Sequence, residues 1–116
     1  MIETSTEPKT MHSMDNLSRL PKMGELSPEA MTAFWAYDKA ALADGAIPKK
    51  YKELMAIAVA LTTQCPYCIE VHREQALKAG ATEQELAEVV HVAAALRAGA
   101  AVTHGTHLLS KADAPS

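Results

Sequence analysis

The chain has 116 residues, 48% of them hydrophobic, and a formal net charge of −3, which suits one core but not two domains. A net negative charge leaves no broad basic field for a phosphate backbone, which argues against nucleic acid as a partner. The longest apolar run, Leu54 to Leu61, is far shorter than the roughly 20 residues that span a bilayer, so we expect a cytoplasmic protein with no membrane partner.

The N-terminal part of the chain shows no sustained helical or strand periodicity. Thr, Ser, Pro, Lys and Glu alternate there with isolated Met and Leu residues. We therefore expect residues 1–26 to form an extended arm, residues 27–112 to form one helical domain and residues 113–116 to form a short tail.

Two helices are predicted in the first half of the domain. Ser27 caps the first helix, which runs from Pro28 to Asp44 and ends at Gly45. Pro48 opens the second helix, which continues into the run from Leu54 to Leu61. Because this run is apolar all round, we expect it to be buried on most sides.

The second half of the domain carries clear helix-start signals. Pro66 suits a first turn, which makes Cys65 the N-cap of a third helix that ends near Ala79. Thr82 and Glu85 form a capping box that opens a fourth helix, and Gly99 separates it from a last helix. No convincing strand pattern is present. The predicted fold class is all-α, a bundle of about five to six helices with Cys-x-x-Cys at a helix N-terminus.

Three reactive side chains fall on one stripe of the third helix. Cys68 lies one turn after Cys65, and His72 lies one turn after Cys68. A thiolate is the attacking species in disulfide exchange, and both a helix N-terminus and an imidazole favour its formation. His72 can also accept and return the protons that exchange requires. The spacing therefore predicts a reversible, redox-active dithiol.

Glu53 is the acidic candidate on the preceding helix. Its apolar neighbours from Leu54 onward predict a partly desolvated carboxylate, which could relay protons to Cys68. The alternative is a solvated residue at a helix start, paired with Lys49 or Lys50.

The spacing of these residues resembles a known family. Glu53, eleven intervening residues, Cys65, two residues, Cys68, three residues and His72 resemble the full signature of alkylhydroperoxidase AhpD-like proteins. The resemblance covers roughly Pro28 to Leu109 and includes the helical core of carboxymuconolactone decarboxylase-like proteins.

The resemblance implies an all-α fold that assembles into a homo-oligomer, as a trimer or hexamer. It implies that Cys65 and Cys68 form the redox pair, that Glu53 and His72 form a proton relay, and that the protein reduces peroxides or partner disulfides. A lipoyl or thioredoxin-like dithiol donor protein restores the pair, and a peroxiredoxin is a candidate partner. We predict no bound cofactor and no metal ion.

One part of the motif departs from the best-characterised members, which place a His between the two cysteines where this chain has Pro66-Tyr67. A Pro at this position resembles thioredoxin-like tuning of thiolate stability. Tyr67 either donates a hydrogen bond to a bound oxygen or packs, and packing is favoured. Position favours Cys65 as the attacking sulfur and Cys68 as the sulfur nearer the relay.

A metal site is the main alternative for the same residues. Cys65, Cys68 and His72 supply three ligands suited to zinc, and Glu53 or His91 supplies a fourth. In that case the chain is a non-catalytic redox-sensing or metal-binding assembly module.

Three further histidines lie in the C-terminal part: His91, His104 and His107. They either converge near the dithiol or on a metal, or line a subunit interface or pocket wall, which we favour.

Overall fold

The computed structural model describes residues 11–112. In this range the chain forms five α-helices and two 3-10 helices, and no strand. The α-helices are α1 (Leu20–Leu26), α2 (Pro28–Leu42), α3 (Lys49–Thr63), α4 (Pro66–Lys78) and α5 (Glu83–His104), and the 3-10 helices are Met14–Arg19 and Gly105–Leu108. The prediction of an all-α fold is confirmed.

The N-terminal arm is not extended where the structure describes it. Met14–Arg19 is a 3-10 helix that continues into α1, and the Ser13 hydroxyl caps it by accepting the backbone N–H of Asp15 at 3.2 Å. The extended conformation predicted for this segment is therefore wrong for residues 14–26. A local cap, rather than an apolar period, starts the helix. Residues 1–10 and 113–116 of the predicted arm and tail lie outside the described residues.

The junction between α2 and α3 depends on one aspartate. Helix α2 ends at Leu42, two residues before the end predicted at Asp44. The Asp44 carboxylate instead accepts the backbone N–H of Lys49 at 2.6 Å, which satisfies a free donor at the start of α3. Pro48 precedes α3 as its N-cap.

Helices α4 and α5 begin at the residues that their capping signals predict. Cys65 is the N-cap of α4, with Pro66 in the first turn. Gly80, with φ of +100°, follows α4 in the left-handed region that glycine tolerates. Thr82 and Glu85 form the predicted capping box: the backbone N–H of Glu85 donates to Thr82 Oγ1 at 3.1 Å, and that of Thr82 donates to Glu85 Oε1 at 2.9 Å.

The helix break predicted at Gly99 is wrong. Helix α5 continues through this residue to His104, and only the short 3-10 turn Gly105–Leu108 follows. Alanines flank the glycine on both sides, and their high helix propensity offsets a cost of about 1 kcal/mol for one glycine.

The core lies where α3 packs against α4 and α5. Ile57, Ala76 and Ala81 are buried at its centre. Four partly buried side chains pack around them: Leu54, Leu61, Leu86 and Val89. Ala76, on α4, is fully buried, and its small side chain suits the packing of α4 against α3.

Much apolar surface stays uncovered in a single chain. In the run that was expected to be buried on most sides, Met55 is 46% exposed and Val59 is 60% exposed, so that prediction is wrong for one chain alone. Phe34, Trp35 and Tyr37 on α2 are exposed as well. The radius of gyration is 19.8 Å, against about 13 Å for a compact domain of 100 residues. The chain thus presents apolar faces that its own helices do not cover.

One stretch, Glu83–Leu108, is long and apolar enough to cross a membrane by length and composition. Its most apolar 18 residues have a mean hydropathy of 1.4, and 6% of them are buried. This Ala-rich helix contains polar residues that interrupt its apolar run, so it does not stand out in the sequence as Leu54 to Leu61 does. A helix that packs its apolar face on another subunit meets the same criteria, so this finding alone does not identify a membrane protein.

The capping box of α5 is testable by substitution. Thr82→Ala removes the hydroxyl that accepts the Glu85 N–H, so we expect the free energy of unfolding to fall by about 1 kcal/mol. Thr82→Ser keeps an accepting hydroxyl and is the matched control. Denaturant unfolding at one fixed protein concentration measures both variants, and equal destabilisation by Ser and Ala would contradict the assignment.

Candidate redox site

The two cysteines lie at the start of α4, in a backbone conformation fixed from both sides. Gln64 adopts a left-handed φ of 58° after α3, and the backbone N–H of Cys65 donates back to the Ala60 carbonyl at 3.0 Å. Pro66 then occupies the first turn of α4. Both cysteines are half-buried free thiols.

The helix N-terminus is directed at the first sulfur. The backbone N–H of Cys68 donates to Cys65 Sγ at 3.2 Å. A helix N-terminus carries partial positive charge, and its free N–H groups bind anions. This contact therefore stabilises negative charge on Cys65 Sγ.

The second sulfur is in a different electrostatic environment. The pKa of the Cys68 thiol is raised to about 11, first by burial and then by a side-chain hydrogen bond with Cys65. The negative charge of Asp38 on α2 contributes a smaller increase. Cys68 therefore keeps its proton at neutral pH.

A buried carboxylate links α3 to α4. Glu53 is only 1% exposed, and its two oxygens have different partners. Oε1 lies 2.6 Å from His72 Nδ1, and Oε2 accepts a hydrogen bond from Lys49 Nζ at 3.0 Å. Lys49 Nζ also donates to the Leu42 carbonyl at 3.3 Å, at the end of α2.

This chain of contacts fixes the orientation of the imidazole. When Glu53 is ionised, Nδ1 of His72 carries the ring proton and donates a hydrogen bond to Oε1. This leaves Nε2 as the proton acceptor. The carboxylate also stabilises the imidazolium that forms when Nε2 takes a proton. The arrangement can accept a proton at one ring nitrogen without moving the ring.

Glu53 is buried more completely than the partial desolvation predicted from the sequence. The alternative of a solvated residue is wrong, although the pairing with Lys49 that belonged to it is present. Both descriptions were partly right because Lys49 lies four residues earlier on the same helix face, where it reaches the carboxylate without exposing it.

A cavity of about 280 Å³ opens beside the Glu53–His72 pair. Its lining residues come from α2, α3 and α4: Asp38, Lys39, Leu42, Lys49, Glu53, Val71, His72 and Gln75. Asp38 was not singled out from the sequence, because it belongs to no motif and only the packing of α2 brings it to this site.

Tyr67, between the two cysteines, is held by the N-terminal segment. Its hydroxyl donates to the Met11 carbonyl at 3.1 Å and accepts a hydrogen bond from Asn16 Nδ2 at 2.9 Å. Its ring also packs edge-on against His12, with centroids 6.1 Å apart. Packing was the favoured expectation for Tyr67, but its partners on the distant arm carried no sequence signal.

The remaining histidines do not form a metal site. His104 and His107 lie close to each other, with ring centroids 6.2 Å apart, and His91 is exposed on α5. Across residues 11–112, no group of three or more His, Cys, Asp or Glu side chains is arranged to hold a metal ion. The zinc ligands considered above, Cys65, Cys68 and His72, are therefore not arranged as a metal site within these residues.

The asymmetry between the two thiols can be measured directly. Alkylation by iodoacetamide at increasing pH, resolved by peptide mass spectrometry, should give Cys68 a pKa near 11. In Cys65→Ala the hydrogen bond and charge of Cys65 are lost, so the pKa of Cys68 should fall, yet stay above the ordinary thiol value because burial is the larger cause. The denatured protein gives the ordinary value. A Cys68 that titrates like the denatured thiol in the native protein would contradict this assignment.

The sequence and the structure both match known proteins. Residues 28–111 match the carboxymuconolactone decarboxylase family. A protein of the cox locus of Paracoccus denitrificans is 48% identical over 81 residues, which is 70% of this chain and 73% of that protein. An alkyl hydroperoxide reductase of Mycobacterium tuberculosis is 37% identical over 90 residues, which is 75% of this chain but only 24% of that longer protein.

Solved structures share the fold. A crystal structure of a carboxymuconolactone decarboxylase family protein from Legionella pneumophila superposes with a TM-score of 0.67 at 41% identity, covering 71% of this chain and 73% of that one. A protein from Methanobacterium thermoautotrophicum superposes with a TM-score of 0.68 at 36% identity, covering 72% and 97% respectively. The resemblance inferred from the four motif residues is confirmed, and this chain belongs to the carboxymuconolactone decarboxylase family.

Proposed function

We propose that the protein is a thiol-disulfide oxidoreductase of the alkylhydroperoxidase type, which reduces peroxides or partner disulfides through Cys65 and Cys68. The observation that carries the proposal is the pairing of a helix-capping thiol with a buried Glu53–His72 contact of 2.6 Å one turn further along α4. Neither a structural disulfide nor a packing role explains a buried ion pair beside two free thiols.

The first step is attack by Cys65. Its thiolate, stabilised by the Cys68 N–H, bonds to one sulfur of a substrate disulfide, and the other substrate sulfur leaves and takes up a proton. With a peroxide, the thiolate attacks the outer oxygen, the O–O bond breaks, and the alcohol leaves with one proton, which makes Cys65 a sulfenic acid.

The second step is resolution by Cys68. Its thiol has a raised pKa, so the proton must be removed as the sulfur attacks Cys65. We assign this proton to Nε2 of His72, with Glu53 stabilising the imidazolium. The Cys65–Cys68 bond forms, and the remaining substrate thiol, or water in the peroxide reaction, leaves with the proton from His72. Each turnover oxidises two thiols and transfers two electrons.

The oxidised pair must then be reduced by an external dithiol. A lipoyl or thioredoxin-like donor protein supplies two electrons and two protons, and a peroxiredoxin is a candidate partner that would receive them from the reduced pair. The two free thiols suit the reducing cytoplasm, where we place the protein. The alkyl hydroperoxide reductase of Mycobacterium tuberculosis supports this chemistry, since it matches 75% of this chain.

The proposal includes a homo-oligomer, as a trimer or hexamer. The exposed apolar side chains on α2, α3 and α5 support it, because a soluble monomer rarely leaves such faces uncovered. Subunit contacts would also cover the apolar length of α5 without a membrane.

Both cysteines are required by the proposed cycle. Cys65→Ser removes the attacking sulfur and Cys68→Ser removes the resolving sulfur, so each variant should lose turnover of tert-butyl hydroperoxide with a lipoyl or thioredoxin-type donor. The readout is donor oxidation under steady-state conditions. Full turnover in the Cys65→Ser, Cys68→Ser double variant would refute the proposal.

The relay should affect rate and pH dependence together. Glu53→Gln and His72→Gln should each lower kcat by about 100-fold, the usual contribution of a positioned general base. Their pH profiles should rise toward alkaline pH, because hydroxide must then deprotonate a thiol whose pKa is about 11.

Two exposed residues provide matched controls for these variants. Glu70→Gln on α4 and His91→Gln on α5 remove the same groups from exposed positions and should leave both rate and profile unchanged. An unaltered pH profile in Glu53→Gln and His72→Gln would show that these residues act only on stability.

A further inference from the structure

The N-terminal segment, Met11–Arg19, contacts the dithiol motif at Tyr67. Asn16 Nδ2 donates both to the Tyr67 hydroxyl at 2.9 Å and to the Met11 carbonyl at 2.8 Å. The Tyr67 hydroxyl donates in turn to the Met11 carbonyl at 3.1 Å. These three contacts close a small ring of hydrogen bonds, which we call the latch.

Tyr67 is the part of the latch that stands next to the reacting cysteines in the chain, on the first turn of α4. Because Tyr67 stands between Cys65 and Cys68, the segment that binds its hydroxyl is attached to a residue of the motif itself. The hydroxyl donates its single hydrogen to the Met11 carbonyl. Tyr67 is therefore not free to donate a hydrogen bond to a substrate oxygen while the latch is closed.

Substrate size decides whether the latch matters. A protein that presents a disulfide to Cys65 covers roughly 800 Å² of this surface in a typical interface, and that area includes Tyr67 and the segment on it. An alkyl hydroperoxide needs only a path to one sulfur. The two kinds of substrate therefore meet the segment differently.

The latch is also weak enough to open. Met11 and His12 are exposed, no residue of the 3-10 helix Met14–Arg19 is buried, and the hydrogen bonds of the latch are between neutral groups. Segments with little buried apolar area and partly solvated hydrogen bonds detach at low free-energy cost. A docking protein can displace such a segment at a modest loss of rate.

We propose that Asn16 and Tyr67 are specificity-determining residues, whose latch holds the N-terminal segment in the docking area of protein disulfides and thereby favours small oxidants. The inference rests on the proposed thiol-disulfide chemistry and adds a selection between its two substrate classes. The segment itself takes no part in the proton transfer or in the reactions of the two sulfurs.

A single-turnover experiment tests this selection without an electron donor. The fully reduced, full-length protein is mixed with excess insulin as the protein disulfide, or with tert-butyl hydroperoxide, and the loss of its two thiols is followed. Asn16→Ala removes both Asn16 hydrogen bonds and leaves the Tyr67–Met11 bond. Tyr67→Phe removes both bonds between the segment and the motif, while it keeps the aromatic side chain and the Asn16 contact to Met11. Ser18→Ala is the matched control, because the Ser18 hydroxyl donates to the Asp15 carbonyl within the segment.

Both latch variants should react with insulin about five- to tenfold faster, as expected for the loss of one or two neutral hydrogen bonds. Their rates with the peroxide should stay within about twofold of the unaltered protein. Because Tyr67→Phe already removes both hydrogen bonds between the segment and the motif, the double variant should be no faster than Tyr67→Phe alone. Ser18→Ala should match the unaltered protein with both substrates.

Three results would overturn the proposed selection between substrates. An unchanged insulin rate would show that the segment does not obstruct protein substrates, and a lower one would make it part of their docking surface. An equal gain with insulin and peroxide would assign the effect to the motif itself. Thiols that react with neither substrate in the unaltered protein would instead refute the proposed function, and the latch with it.

Discussion

The buried carboxylate of Glu53 is the constraint on which the site depends. An ionised group that is 1% exposed is very costly unless each oxygen has a partner. Lys49 and His72 supply those partners from two helices. The same pair of contacts that makes the burial tolerable also fixes the His72 ring, so the stability of the buried carboxylate and the orientation of the imidazole are coupled at this point of the fold.

The remaining geometry follows from how α4 starts. The left-handed Gln64 and the Pro66 in the first turn set the direction of the helix, and the first free N–H groups then point to Cys65. Since α4 also carries His72, the direction that exposes one sulfur to the helix N-terminus places the imidazole against Glu53. The electrostatic difference between the two thiols is therefore a consequence of backbone geometry and burial.

Local signals in the sequence predicted much of this arrangement. Capping residues such as Thr82 act through their nearest neighbours, so they located helix starts correctly, and the stripe of Cys65, Cys68 and His72 follows from helical spacing. Gly99 was misread because the helix propensity of its neighbours outweighs one glycine. The segment before Pro28 was misread because a single Ser cap organises a 3-10 helix that has no apolar period.

Contacts between distant segments were the part that the sequence could not supply. Asp38 joins the site through the packing of α2, and Asn16 reaches Tyr67 across 51 positions of the chain. The partial exposure of α3 could not be foreseen either, because an apolar run does not reveal whether its own chain or another subunit covers it.

A mass measurement on the reduced protein before and after one equivalent of tert-butyl hydroperoxide tests the central claim most directly. If Cys65 and Cys68 form a reversible redox pair, the chain should lose the mass of two hydrogen atoms, both thiols should disappear, and dithiothreitol should restore both. A chain that keeps its mass and both free thiols, or that gains oxygen atoms irreversibly, would contradict it.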